Sequence, residues 1–188
     1  NNTKSVVEKA KSYFTEGESV SNEPVNSDWA NRFFSIVEDI SDETLHDIWG
    51  RILAGEVKRP NSYSLRTLEL LRNITKEEAE LFIKASHFYI EKDLFVQKSL
   101  SLLHETLLLG EVGLINNEEL TINNWIVNPN SKQEVVIDKN IMMVLYNDTN
   151  NQINLSIPIK KLSKAGCEIL SLMEQDNRND FIINLRNC

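Results

Sequence analysis

The feature that most constrains this fold is a change in the period of the hydrophobic residues near the middle of the chain. From Asp28 to about Ile90, apolar residues recur at steps of three and four, the spacing of helices with one buried face. The connections between these helices are short, which favours antiparallel packing. In the second half, short runs of Ile, Val, Leu and Trp alternate with Asn-rich turns, a pattern typical of strands. The sequence therefore predicts an α+β fold, mainly α, that begins with an antiparallel helical bundle.

The N-terminal segment is predicted to be distinct from this bundle. Residues 3–14 have the spacing of a short amphipathic helix, and residues 15–27 are typical of a polar linker. A helix of that length is marginal in water, so we expect it to dock on the main body or on a partner, or to fray. The predicted organisation is a short helix and linker at 1–27, a helical bundle at 28–98 and a small α+β domain at 99–188.

Glycine and capping residues predict where the bundle helices begin and end. Gly55 and then Pro60 are expected to close the second helix of the bundle, since glycine is common just past a helix end and proline soon after it. Either Ser62 or Ser64 can cap the third helix. Residues 75–78 have the spacing of a capping box, so a fourth helix is expected to start there and to run to about Ile90.

The second half is predicted to be a winged-helix-like α+β module. A leucine-rich helix is expected from about Ser99 to Gly110 or Gly113, and another helix opens at residues 162–166. Residues 147–151 are expected to form a hairpin turn. Strands are expected at 120–127, 134–138, 141–146 and 153–159, with a last one at 181–185.

Composition narrows the classes of protein to which the chain can belong. Its 41% hydrophobic and 26% charged residues are typical of a globular domain, and its net charge of −8 disfavours a wholly basic nucleic-acid binder. Residues 100–115, the most apolar stretch, are too interrupted to span a membrane, and no secretory signal is present. Two cysteines make no disulfide framework, which favours a reducing cytoplasm. Since the chain starts with Asn1 rather than Met, a missing upstream part stays open.

No catalytic signature stands out. The six glycines are scattered, so no phosphate-binding loop is formed, and no nucleophile elbow or zinc-binding helix motif occurs. Glu43 and His46 have the Glu-x-x-His spacing of a metal ligand pair, but a di-iron bundle needs two such motifs. We therefore expect no metal and no cofactor, and we expect these two side chains and Asp47 to meet solvent on a helix surface.

Two basic patches are candidate nucleic-acid contacts. Residues 51–72 carry five cations against two glutamates, a local net charge of +3, and residues 160–164 carry three lysines. If both patches share a face, they can contact phosphates. The candidate contacts are Arg51, Lys58, Arg59, Arg66, Lys160, Lys161 and Lys164. The alternative is that the arginines pair with nearby acids and that the lysines only solvate a surface.

The corner between the second and third bundle helices is predicted to be a structural motif. We expect Trp49 to pack in the core, Gly55 to allow close helix approach, and a charge-assisted bond between Glu56 and Arg66 to pin the turn. The residues of this motif are Trp49, Gly55, Glu56, Pro60, Ser64 and Arg66.

The same corner carries a family resemblance. The run WGRILAGE at 49–56, followed by PNSYSLRTL at 60–68, resembles the hallmark of an uncharacterised bacterial family, the domain-of-unknown-function 2806 family. The specific resemblance covers residues 28–90. It implies a cytoplasmic bacterial protein and names no activity, substrate or catalytic residue. This sequence departs from the family pattern, which commonly has Gln at position 46, Ala at 50 and Gly at 61.

Three functions follow from these observations, in order of preference. The first is a non-enzymatic protein–protein interaction or regulatory module that binds a protein partner or itself, for example as a dimer. The alternative is nucleic-acid binding, in transcription or phage defence, through the patches at 51–72 and 160–164. The second alternative is an enzyme with an unrecognised site.

Overall fold

A computed structural model describes residues 2–86, 89–90, 93–95, 100–116, 121–136 and 142–173. The fold is α+β and mainly α, as the sequence predicts, with seven helices and six strands among those residues. None of the helices in the described ranges combines the length and the hydropathy that crossing a bilayer requires. The chain divides into two compact units, the first formed by residues 1–74 and 168–174, and the second by residues 75–167 and 175–188.

The first unit is built around four helices. They are α1 (Asn2–Ser12), α2 (Ser27–Asp39), α3 (Glu43–Lys58) and α4 (Leu65–Asn73). Helix α1 docks on α3, so of the three predicted alternatives the structure shows docking on the main body. Gly50 makes this approach close, because a Cβ there would lie 2.7 Å from the Cβ of Lys9.

The core of the first unit is aromatic. The Trp29 and Phe33 rings stack with centroids 5.0 Å apart, and Phe33 meets Trp49 edge to face at 5.7 Å. The indole N–H of Trp29 donates to the backbone carbonyl of Tyr63 at 2.7 Å. Both tryptophans are therefore core residues, as predicted, and the buried N–H of Trp29 has its partner.

Gly55 does not end its helix, contrary to the prediction. Helix α3 continues through it to Lys58, so it ends just before Pro60, the second closing residue that the sequence predicts. A Cβ at position 55 would lie 2.8 Å from the ring of Tyr63. The glycine therefore admits an aromatic side chain from the following turn, and the close approach it allows is to that ring.

The second unit contains three helices and all six strands. The helices are α5 (Lys76–Ser86), α6 (Leu100–Val112) and α7 (Lys164–Leu170). The strands are β1 (Tyr89–Ile90), β2 (Asp93–Phe95), β3 (Thr121–Val127), β4 (Ser131–Val136), β5 (Met142–Asn147) and β6 (Ile153–Lys161). The last three residues of α7 belong to the first unit. The capping box is confirmed, since the Thr75 N–H donates to Glu78 and the Glu78 N–H donates to the Thr75 hydroxyl. Helix α5 ends at Ser86, earlier than predicted, and the chain forms a strand at Tyr89–Ile90.

The strands pair differently from the predicted hairpin. One sheet has the order β1-β2-β6-β3, and the second sheet is the antiparallel pair β4-β5. The turn at 147–151 therefore joins two sheets, so the hairpin prediction is wrong. The buried side chain of Asn147 holds this turn, because its amide N–H groups donate to the carbonyls of Val127 and Asn151 at 2.9 and 2.8 Å. The strand predicted at 181–185 lies outside the described residues.

The chain that follows α6 makes a close backbone contact with the start of α7. Helix α6 is followed by Gly113 in a left-handed conformation, φ 90°, which confirms the predicted glycine stop. The N–H of Ser163 donates to the carbonyl of Leu114, and the Ser163 hydroxyl accepts from the N–H of Gly166. A Cβ at Gly166 would overlap the carbonyl oxygen of Leu114. The predicted opening of a helix at 162–166 is confirmed, and it depends on glycine.

Candidate functional site

The corner between α3 and α4 is organised by a buried carboxylate. Glu56 is 1% exposed, and its two oxygens accept the backbone N–H groups of Asn61 at 2.7 Å and Tyr63 at 3.0 Å. These two bonds give both oxygens of a buried side chain a hydrogen-bond partner and fix the path of the turn. Arg66 is exposed in the first turn of α4 and is not a partner of Glu56. The expected Glu56–Arg66 bond is therefore wrong, because the backbone takes both carboxylate oxygens.

The turn after Pro60 is tight. Asn61 has φ 71°, a left-handed conformation that asparagine tolerates better than most residues and that glycine adopts freely. Asn61 is therefore compatible with this tight turn, although it stands where the family resemblance implies glycine.

We expect Asn61→Gly to keep or raise stability, since glycine has no Cβ. We expect Asn61→Ala to lower the free energy of unfolding by about 1 kcal/mol, since alanine lacks the short polar side chain that lets asparagine adopt left-handed backbone. Urea denaturation of the two variants beside the wild type measures the difference. Equal stability of the alanine and glycine variants would contradict the role of this backbone conformation.

A second carboxylate caps α4 from a distant part of the sequence. The Ser64 side chain accepts from the Thr67 N–H, which confirms Ser64 as the N-cap. Glu168 accepts from the Ser64 N–H at 2.7 Å and from the Thr67 hydroxyl at 2.5 Å. A negative charge at a helix N-terminus is favourable. Glu168 lies 104 residues beyond Ser64 and carries no local signal, so its role at this cap is not predictable from the sequence.

His46 is a structural residue of the first unit. It is 3% exposed, so the prediction that it meets solvent is wrong. Its Nδ1 lies 2.9 Å from the Ser5 hydroxyl, and its Nε2 lies 3.0 Å from the carbonyl oxygen of Ile40. Because a carbonyl only accepts, Nε2 carries a proton. Both ring nitrogens are thus engaged in holding α1 to the connection between α2 and α3.

Arg51 is held in a cluster on α3 and α1. Its Nε donates to the Tyr13 hydroxyl at 2.9 Å and to Asp47 at 3.1 Å, and its guanidinium lies 5.3 Å from the centre of the Tyr13 ring. The Tyr13 hydroxyl in turn donates to Asp47 at 2.6 Å. This bond, with the charge of Arg51, lowers the pKa of Asp47. Burial and the Asp47 bond raise the pKa of Tyr13.

These shifts predict an acid-dependent stability. Because the pKa of Asp47 is lower in the folded state, the folded protein binds its proton less tightly than the unfolded chain does. Its contribution is present above the unfolded value of about 4 and is lost as the pH falls through the folded value. We expect the free energy of unfolding of Asp47→Asn to depend less on pH between about 5 and 3 than that of the wild type. Parallel slopes in urea denaturation over that range would contradict the cluster.

Lys58 ties down the segment that follows α1. Its Nζ donates to the backbone carbonyl of Tyr13 at 2.6 Å and pairs with Glu18 at 2.8 Å. It also lies 5.2 Å from the centre of the Phe14 ring. The hydrogen bond from Lys58 lowers the pKa of Glu18. Much of the charge of Arg51 and Lys58 is therefore used within the first unit.

An open cavity of about 580 Å³ lies beside this cluster. It is bounded by one face of α3, by the chain after α1 and by the residues that follow α7. Its lining consists of Tyr13, Glu18, Ser19, Arg51, Ala54, Gly55, Lys58, Arg59, Tyr63, Ser171, Leu172 and Met173. The structure thus brings together three of the predicted basic residues, Arg51, Lys58 and Arg59, on one wall.

The other predicted basic residues lie elsewhere. Arg66 does not line the cavity, and Arg72 approaches Asp39 at 3.4 Å. Lys160 and Lys161 lie on β6 and Lys164 begins α7, all three in the second unit. Three of the five cations predicted at 51–72 therefore line the cavity.

Comparison with known proteins identifies the family of the chain. No curated protein and no solved structure matches the chain. The family described as "Protein of unknown function (DUF2806)" matches residues 1–101, which is more than half of the 188 residues and includes the whole corner between α3 and α4. The chain therefore belongs to the DUF2806 family, as the run from Trp49 to Leu68 predicts.

Proposed function

We propose that this protein is a non-enzymatic interaction module that associates with a second copy of itself through strand β3. The observation that carries the proposal is the exposure of Ile122 and Ile126, which are 57% and 55% exposed on this strand. Two large aliphatic side chains on one face of a strand are costly to leave in water, and burying them favours association.

The position of β3 supports the proposal. It lies at the end of the sheet order β1-β2-β6-β3, and β6 is its strand neighbour among the described residues. Edge strands of monomeric proteins commonly carry charges or bulges that prevent pairing with another chain. Residues 121–130 contain no charged side chain. Strand β3 is also seven residues long, enough for a continuous ladder with a further strand.

The sequence of β3 favours a second copy over an unrelated partner. Antiparallel pairing centred on Asn124 places Ile122 of one copy opposite Ile126 of the other, and Asn124 opposite itself. Such an interface uses the same surface of both chains, which a two-fold dimer requires. Matched aliphatic pairs across neighbouring strands stabilise a sheet.

The test is the oligomeric state in solution. Sedimentation equilibrium of the wild type from micromolar to submillimolar concentration is expected to show a dimer that dissociates on dilution. The double variant Ile122→Lys and Ile126→Lys is expected to be a monomer, since it places cations on the paired face. Tyr146→Lys is the control, because Tyr146 is 75% exposed on β5 and outside the proposed interface.

Two results would overturn this function. A wild-type chain that stays monomeric throughout the concentration range has no self-association to explain. A dimer that survives the double substitution, or that Tyr146→Lys breaks equally well, uses another surface. Circular dichroism of each variant confirms that the fold is retained.

A further inference from the structure

The cavity of the first unit has the size and composition of a small-molecule site. Its volume of about 580 Å³ falls within the range of pockets that enclose a metabolite. Its walls include the phenol rings of Tyr13 and Tyr63 and the hydroxyl-bearing residues Ser19 and Ser171. Such a lining offers both aromatic surface and hydrogen-bonding groups to a ligand.

One face of α3 supplies the positive charge of this cavity. Arg51, Gly55, Lys58 and Arg59 follow one another at helical spacing, so they share that face. Gly55 carries no side chain, and the Tyr63 ring lies against its Cα. Three cations and one carboxylate, Glu18, line the cavity, and Asp47 pairs with Arg51, which leaves an excess of one positive charge.

Arg59 differs from the other two cations in how its charge is used. Lys58 holds Glu18 and the carbonyl of Tyr13, and Arg51 holds Asp47 and the Tyr13 hydroxyl. Arg59 is exposed and forms no ion pair with the residues that the structure describes. A guanidinium presents a planar fork of N–H donors, which matches two oxygens of one phosphate.

We propose that this cavity binds a small molecule carrying a phosphate monoester, and that Arg59 is the residue that binds the phosphate group. A phosphate monoester carries a charge of about −1.5 to −2 at neutral pH, so the positive charge of Arg59 attracts it. Lys58 lies one position before Arg59 and adds a second cation. It has three N–H donors and uses two of them for Tyr13 and Glu18. The hydroxyl groups and the phenol rings contact the remainder of the ligand. This site is independent of the self-association through β3, so either proposal can fail alone.

The experiment uses isothermal titration calorimetry of the full chain at about 50 mM salt, where phosphate contacts are strong. The probes are inorganic phosphate, glucose 6-phosphate and glucose. We expect saturable binding of glucose 6-phosphate, weaker binding of inorganic phosphate and no binding of glucose. Arg59→Ala is expected to weaken the binding of glucose 6-phosphate at least about tenfold.

Arg66→Ala is the matched control. Arg66 is also an exposed arginine near the corner, but it does not line the cavity. It is expected to leave the affinity unchanged. Both variants remove an exposed side chain, so each is expected to fold, and circular dichroism checks this.

Three outcomes would overturn the proposal. Absence of saturable binding of either phosphate probe removes the ligand class. Equal losses in Arg59→Ala and Arg66→Ala indicate a diffuse electrostatic surface. A duplex DNA oligonucleotide that binds in an Arg59-dependent manner, and that glucose 6-phosphate does not displace, assigns this arginine to a nucleic-acid backbone instead.

Discussion

Glu56→Ala is expected to lower the free energy of unfolding by about 3 kcal/mol, since it leaves two backbone N–H groups without their acceptors. The N–H of Tyr63 is buried, and that of Asn61 is held in a left-handed turn, so the turn cannot readily rearrange to satisfy them. The loss is measured by urea denaturation followed by circular dichroism. Glu56→Gln retains one acceptor oxygen and is expected to lose about half as much.

Arg66→Ala provides the control for this prediction. If Glu56 acts through the backbone, removal of the exposed arginine changes stability by less than about 0.5 kcal/mol. A charge-assisted bond between the two side chains, which the sequence suggests, requires comparable losses in both variants. Comparable losses would therefore contradict the assignment of the Glu56 oxygens to the turn.

Gly166→Ala is expected to destabilise the second unit by about 3 kcal/mol or more, because the added Cβ overlaps the carbonyl oxygen of Leu114. To make room, the start of α7 must move away from the chain that follows α6. That movement lengthens the bond between the Ser163 N–H and the Leu114 carbonyl, which is 3.0 Å long in the native structure. Hydrogen exchange of the amides in α6 and α7 is expected to quicken.

Lys164→Ala tests whether an alanine substitution elsewhere at the start of α7 has the same effect. Lys164 is exposed at the start of the helix, and alanine favours helix, so its loss is expected to cost less than about 0.5 kcal/mol. If Gly166→Ala is as stable as Lys164→Ala, the close contact between Gly166 and the Leu114 carbonyl does not constrain the fold.

Local signals in the sequence predict much of the helical structure. The stripe that includes Trp29 and Phe33 gives a buried aromatic core, and Ser64 and the box at 75–78 give helix starts. These features depend on residues within one or two turns of each other. The prediction that Gly55 ends its helix fails, because the sequence does not distinguish a glycine that ends a helix from one that makes room for an aromatic ring.

Features that depend on distant residues escape such reasoning. Strand β3 pairs with β6 although β4 and β5 lie between them in the sequence, and Asn147 donates to the carbonyl of Val127, 20 residues earlier. The burial of His46 requires α1 to dock, and the hydrogen-bond donors to Glu56 are backbone N–H groups without any sequence signature. The cavity likewise combines residues near position 13, along α3 and near position 172. Composition predicts its cations but not their common wall.

The Glu168 carboxylate has a consequence for how the protein is made. The first unit is discontinuous in sequence, since Ser64 and Thr67 obtain this acceptor from residues that leave the ribosome about a hundred positions later. During synthesis α4 lacks the Glu168 acceptor of its N-terminal cap. The first unit is complete only after residues 168–174 have been synthesised. A fragment cut at residue 101 would retain that nascent state permanently.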